Sequence, residues 1–260
     1  MHAFLQDQAP KIAAQVNALR STALKALLAK DELTQDQRDE IDRILAAVDL
    51  AGFSVLAGDV EKVLEGIAAD GGSQALLQVH IDVTTDPGVL EVVNGDAVAY
   101  AANRSAELVG MTRDAAGDLV PNPDARWAID ESTRQMIRGE VTQALADGWS
   151  NDELASNLAG SRAFSLDRAM TIARTETQMA ANAGAIAGYK ASGVVDGKQW
   201  ITAGDDLVSE DCVENGEAGD NGDGVLGLDE IYPSGDAAPP AHPNCRCTIV
   251  PYIEPAKETQ

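Results

Sequence analysis

Apolar positions recur at helical spacing through the first seventy residues. Ile12, Val16, Leu19, Leu24 and Leu27 predict one helix within APKIAAQVNALRSTALKALLAK. Thr34 followed by Gln37 is a capping-box pattern and predicts a second helix that closes at Gly52. A third helix is expected from Phe53 to Ala69, stopped by Gly71 and Gly72. Residues 1–75 thus read as a helical bundle packing on itself or as an arm that docks on a partner.

The pattern then changes period. Residues 78–95 read as a short strand, a turn at Asp86-Pro87-Gly88 and a second apolar stretch, with helix resuming from Asp96 to Val109. Between Met111 and Asp130 the periodicity weakens, and Pro121 and Pro123 mark a loop or a domain joint. Helices follow over DESTRQMIRGEVTQALADG and NDELASNLAG, the latter opened by a Ser150–Glu153 capping box. Ser165 is placed to cap a long helix that stops at Gly193. Beyond it, GKQWITAG and RCTIVPYI are short β-branched and aromatic runs and predict two strands. The fold class is therefore α+β: a mainly helical N-terminal region and a C-terminal module in which a long helix packs on a small β-sheet.

The long helix carries chemistry as well as packing. Ile172, Met179, Ala183 and Ile186 fall in one stripe, flanked by Arg168 and Glu176, with Thr175 and Asn182 a little further round. Polar groups beside a buried stripe must find partners or cost a few kcal/mol each. Arg168, Glu176 and Asn182 are accordingly expected to anchor loops or neighbouring helices. A catalytic use of Glu176 would need a second acid or a nucleophile beside it, which the sequence does not offer.

Charge narrows the function classes. The 260 residues carry a formal net charge of −23, which disfavours a direct grip on nucleic acid or on anionic membranes. The N-terminus shows no basic segment followed by an apolar core, and no apolar run approaches a membrane span. Three cysteines make a poor disulfide framework and fit synthesis in a reducing cytoplasm. Eleven acidic residues and no basic one lie between Asp205 and Asp236. That segment reads as an acidic loop insertion, 205–236.

Two cation sites are candidates. Cys212, His242, Cys245 and Cys247 supply the four ligands of a closed zinc site. In an extended segment Cys245 and Cys247 face one side, and the prolines at 239, 240 and 243 hold the turn that brings His242 alongside. The alternatives are small apolar thiols in a buried strand, with His242 bonded to a backbone carbonyl, or a disulfide at Cys212. For calcium, GDNGDGVLGLDE resembles an EF-hand-type loop with Asn221, Asp223 and Glu230 as ligands and Gly224 at the sharp turn. Gly219 stands where the first aspartate is expected, and the alternative is a solvated acidic loop. His80 has no ligand types near it and reads as a surface or satisfied histidine.

The order RAMTIARTETQMAANAGAIAGYKASGV, then KQWITAGDD, then a cysteine, then PPAHPNCRC resembles the phage Mu F-like family of head morphogenesis proteins. The resemblance covers residues 95–253, within a domain spanning 76–260. It implies a non-enzymatic minor head protein of a tailed bacteriophage, acting in head assembly, packaging or DNA delivery. The implied partners are the portal protein and the major capsid protein. The implied location is the virion, in the head interior or at the portal vertex, after synthesis in the host cytoplasm. Family members commonly carry a Cys-x-x-Cys pair shortly after the tryptophan strand; here Ser209 stands at the first of those places and only Cys212 remains. The resemblance also marks Trp200 as a structural anchor. The runner-up readings are a zinc-dependent enzyme or toxin-type transferase, and a calcium-gated binding module.

Overall fold

The computed structural model describes residues 2–19, 35, 39, 43, 51–81, 87–147 and 151–255. Its helices are α1 (His2–Leu19), α2 (Ser54–Gln78), α3 (Pro87–Leu108), α4 (Ile129–Asp147), α5 (Asn151–Gly160), α6 (Leu166–Ser192) and α7 (Glu210–Gly216). The strands are β1 (Met111–Arg113), β2 (Leu119–Pro121), β3 (Gly197–Ile201), β4 (Val225–Gly227) and β5 (Thr248–Tyr252). This is an α+β chain with a helical N-terminal region and two small antiparallel sheets. Most of the helix expected over 34–52, and Ser150 of the second capping box, lie outside the described residues.

The chain divides into two compact units, one of residues 1–58 and 106–170, the other of residues 59–105 and 171–260. In the first, α1 buries Leu5, Ala9 and Ile12, with Ile137, Val141, Leu158 and Phe164 among the core side chains from α4, α5 and the turn after them. Gln6 donates to the Phe164 carbonyl at 2.6 Å, and Phe4 meets Phe53 edge to face. The β1–β2 hairpin pairs Thr112 with Val120 where the sequence suggested only a loop or joint. Three residues per strand is too short for alternation to stand out.

The second unit is built on small residues. Leu64 and Ala68 of α2, Ala97 and Ala101 of α3 and Ala180 of α6 form one cluster. A Cβ at Gly184 would collide with the Ala68 carbonyl, and one at Gly71 with the Ala181 carbonyl. Gly71 and Gly72 are therefore not the helix stop that the sequence suggested. They are the notch that lets two backbones touch, and α2 continues through them to Gln78. The expected strand-and-turn over 78–95 is likewise corrected. Residues 87–95 are the start of α3, because proline at the first helical position carries its φ already set for a helix.

The long helix ends where the sequence indicated. Ser165 Oγ accepts from the Arg168 amide at 3.2 Å, and Gly193 follows Ser192 with φ 64°. Its buried face differs from the expected apolar stripe. Ile172, Met179, Ala183 and Ile186 are half-buried, whereas Thr175, Glu176, Ala180, Asn182, Ala187 and Tyr189 are buried. Tyr189 packs with Ala75, Val195 and Ile249, joining α2, α6 and β5. The second sheet runs β4-β3-β5, all antiparallel, with Trp200 opposite Ile249. β5 is an edge strand, which is why it tolerates Pro251. Within the acidic segment 205–236 the chain forms α7 and β4.

Candidate metal centre

The three cysteines converge. Their Sγ atoms all lie within 4.8 Å of one another, and all three side chains are buried. Cys212 Sγ is 3.6 Å from Cys245 Sγ and 3.5 Å from His242 Nε2. The other imidazole nitrogen, Nδ1, lies 3.0 Å from the Pro243 carbonyl oxygen and donates to it. With the proton on Nδ1, the Nε2 lone pair is left facing the cysteines.

Each ligand arrives on its own local structure. Ser209 caps α7, its side chain accepting from the Cys212 amide at 3.4 Å, which fixes Cys212 on the first turn. Asn244 takes a left-handed φ of 62°, a conformation asparagine tolerates better than most residues. That turn returns the Cys245 amide to the His242 carbonyl at 3.1 Å. Cys247 leads directly into β5.

α6 holds this segment through one polar stripe. Thr171 Oγ1 accepts from Asn244 Nδ2 at 3.3 Å, and Thr175 Oγ1 from the Asn244 amide at 3.2 Å. Gln178 donates to the Cys247 carbonyl, and Asn182 Nδ2 to the Pro239 carbonyl at 2.9 Å. Positions 171, 175, 178 and 182 are four, three and four apart, one face of a helix. Arg246, between the two cysteines, makes a bidentate pair with Asp205 at 2.6 Å on both arms. That pair draws the Asp205 carboxyl down to about 2, first through the hydrogen bond from Arg246.

The surroundings are apolar. Trp200, Tyr232 and Ala241 share a buried cluster with the three cysteines. The Trp200 and Tyr232 rings meet at 4.9 Å, and the Tyr232 hydroxyl lies 3.0 Å from both the Lys198 and Gly224 carbonyls. Lys198 is fully buried on the same face as Trp200 and donates to the Leu228 and Glu230 carbonyls at 2.9 and 2.7 Å. Burial pulls its pKa down to about 8, helped by Lys190. Trp200 Nε1 has no nitrogen or oxygen partner although it is buried. It lies in the apolar cluster that holds the three cysteines. The hydrogen bond from Cys247 pulls Cys245 down to about 5. The same bond pushes Cys247 up, and burial pushes Cys212 up.

The other sequence-selected residues lie apart from this centre. Both Glu176 oxygens accept from Arg104, at 2.7 and 2.8 Å, deep in the second unit. Arg168, in the first unit, donates to the Ala163 and Ile129 carbonyls and to the Ser132 and Thr133 hydroxyls. The acidic loop has the expected sharp turn, with Gly224 at φ 75° and its α-carbon hemmed in by the Trp200 and Gly216 carbonyls. Its carboxylates are committed to backbone amides, Asp223 to Val225 at 3.2 Å and Glu230 to Gly227 at 2.6 Å, while Asn221 is exposed. Among the described residues, the cysteine trio is the group of metal-ligating side chains that converges.

Sequence reasoning missed Arg104, Thr171, Gln178, Asn244 and the buried Lys198. The four polar residues on α6 had a signal, their shared face. Arg104 had none, since it lies 72 positions from Glu176.

Residues 135–250 match the family model described as Phage Mu protein F like protein. No curated protein and no solved structure matches the chain.

Proposed function

We propose that this chain, whose residues 135–250 match the phage Mu F-like family model, is a non-enzymatic minor head protein of a tailed bacteriophage. It resides in the virion, contacts the portal protein and the inner capsid surface, and acts in head assembly, packaging or DNA delivery. The observation that carries this reading is the family match, whose span takes in α6, β3 and the cysteine segment that together form one bonded unit. Two features support it. The charge of −23 repels packaged DNA and so suits a protein that shares the head with it without sticking. Both oxygens of Glu176 are held by Arg104, which weighs against its use as an acid or base. No helix among the described residues is long and apolar enough to cross a membrane.

Quantitative mass spectrometry of purified phage particles, combined with chemical cross-linking, tests the proposal. The expected result is a small fixed number of copies per head with cross-links to the portal protein. Absence from mature particles and from head precursors alike would refute it.

A further inference from the structure

We propose that Cys212, His242, Cys245 and Cys247 form a closed, tetrahedral, structural zinc site. The argument begins with edge lengths. Zinc binds cysteine sulfur at about 2.3 Å and histidine nitrogen at about 2.0–2.1 Å. A tetrahedron with those arms has sulfur–sulfur edges of about 3.8 Å and sulfur–nitrogen edges of about 3.6 Å. The structure places Cys212 Sγ 3.6 Å from Cys245 Sγ and 3.5 Å from His242 Nε2, with all three sulfurs inside 4.8 Å. A disulfide would pull two of these sulfurs to about 2.0 Å and leave the third thiol and the imidazole without a role.

Three further observations point to a cation rather than to a cluster of small apolar side chains. His242 donates from Nδ1 to the Pro243 carbonyl, the second contact that fixes the tautomer of a metal-ligating histidine. The buried Trp200 N–H has no hydrogen-bond partner and lies in the same cluster as the three cysteines, where a metal-bound thiolate would offer it an acceptor. Moreover, the ligands are delivered by preformed elements: a capped helix for Cys212, and a left-handed Asn244 turn seated on α6 for the others. Three thiolates and one imidazole select a soft, tetrahedral ion and disfavour calcium or magnesium, which take oxygen ligands. Four protein ligands leave no open position, so the ion fastens the tail to α7 and performs no chemistry on a substrate.

The proposal is independent of the role in the phage head and fails separately from it. The test uses the full chain purified under reducing conditions without chelator. Elemental analysis is expected to find one zinc per chain. Exchange with cobalt is expected to give intense visible d–d bands and thiolate-to-cobalt charge transfer, the signature of a tetrahedral sulfur-rich site. His242→Cys should retain zinc, while His242→Ala should lower zinc affinity at least roughly tenfold in competition with a chromophoric chelator. The cobalt spectrum is read on the unaltered protein, so the test survives if a variant does not fold. Reduced protein that takes up no zinc after reconstitution and alkylates at all three cysteines equally with and without added metal would overturn the site. So would a Cys212–Cys245 disulfide in freshly isolated protein, or zinc binding unchanged in His242→Ala.

Discussion

Replacing Glu176 with glutamine isolates the buried ion pair at the centre of the second unit. The two side chains are 3% and 8% exposed, and the guanidinium meets the carboxylate through two hydrogen bonds of 2.8 and 2.7 Å. Glutamine has nearly the same shape, so the change removes charge without opening a cavity. It also turns an amide N–H toward a guanidinium that can only donate. Removing one partner of a buried pair costs about 3–5 kcal/mol, because the remaining charge is stranded away from water. With a urea dependence of about 2–3 kcal/mol per molar, the denaturation midpoint should fall by roughly 1–2 M. Far-ultraviolet circular dichroism against urea, in Glu176→Gln, Arg104→Met and the double variant Arg104→Met/Glu176→Leu, reads the effect. The double variant should lie closer to the parent than either single, since it buries no uncompensated charge. If the single losses simply add in the double, or if Glu176→Gln stays within about 1 kcal/mol of the parent, the pair is not the anchor described.

The remaining predictions probe the packing notch, the first unit and a buried cation. Gly184→Ala should destabilise by more than about 2 kcal/mol, because its Cβ meets the Ala68 carbonyl, whereas Gly66→Ala in the same unit meets nothing and should stabilise by about 0.5–1 kcal/mol; thermal melting of both decides, and equal shifts would contradict the notch. Arg168→Met should cost about 1–3 kcal/mol, chiefly by stranding the buried Ala163 carbonyl, and Arg168→Lys should recover less than half, since an ammonium cannot reproduce the fork that spans four acceptors. Lys198 has a folded pKa of about 8 against an ordinary 10.5, so between those values the unfolded chain holds the extra proton and stability rises with pH through this group. That slope, at most about 1.4 kcal/mol per pH unit, should vanish in Lys198→Met. Parallel stability curves for parent and variant between about pH 8 and 9.5 would refute the assignment. Above that window the raised pKa of Tyr189, about 12, makes the unfolded chain lose its proton first, and stability should fall.

What was legible in the sequence had short-range signals. The long helix showed its start at Ser165 and its stop at Gly193, and β3 and β5 showed their β-branched runs. The three cysteines and His242 could be grouped by ligand type, and the structure brings them together. Two of the misreadings share one cause: glycine and proline punctuate a chain for more than one reason. Gly71 and Gly72 looked like a terminus because glycine weakens helices, yet here the missing Cβ is required by the crossing of two backbones. Pro87 looked like a turn, yet at the first position of α3 its fixed φ favours the helix. The face of α6 was misjudged because apolarity was taken as burial, whereas the buried side is where polar residues meet a neighbouring backbone. α7 escaped notice because its seven residues, EDCVENG, are too few and too acidic to show an apolar period.

That polar stripe explains why the family-like motif is spread over some eighty positions of sequence yet acts at one place. Thr171, Thr175, Gln178 and Asn182 hold the 239–247 segment, Asp205 holds Arg246 within it, and Trp200 lies against the cysteines. Three of these four α6 bonds reach the segment's backbone and the fourth its Asn244 side chain; at about 1 kcal/mol net each, they seat the segment without an ion. Ser209, at the place where the family pattern commonly has a cysteine, fits the same logic. Its oxygen accepts from the Cys212 amide at 3.4 Å, which makes it a helix cap and not a ligand. On the zinc proposal, the thiol that Ser209 lacks is made up by His242, whose Nε2 lies 3.5 Å from Cys212 Sγ. That proposal gives the two positions separate tasks: Ser209 keeps α7 in register, and His242, thirty residues beyond Cys212, would supply the fourth donor.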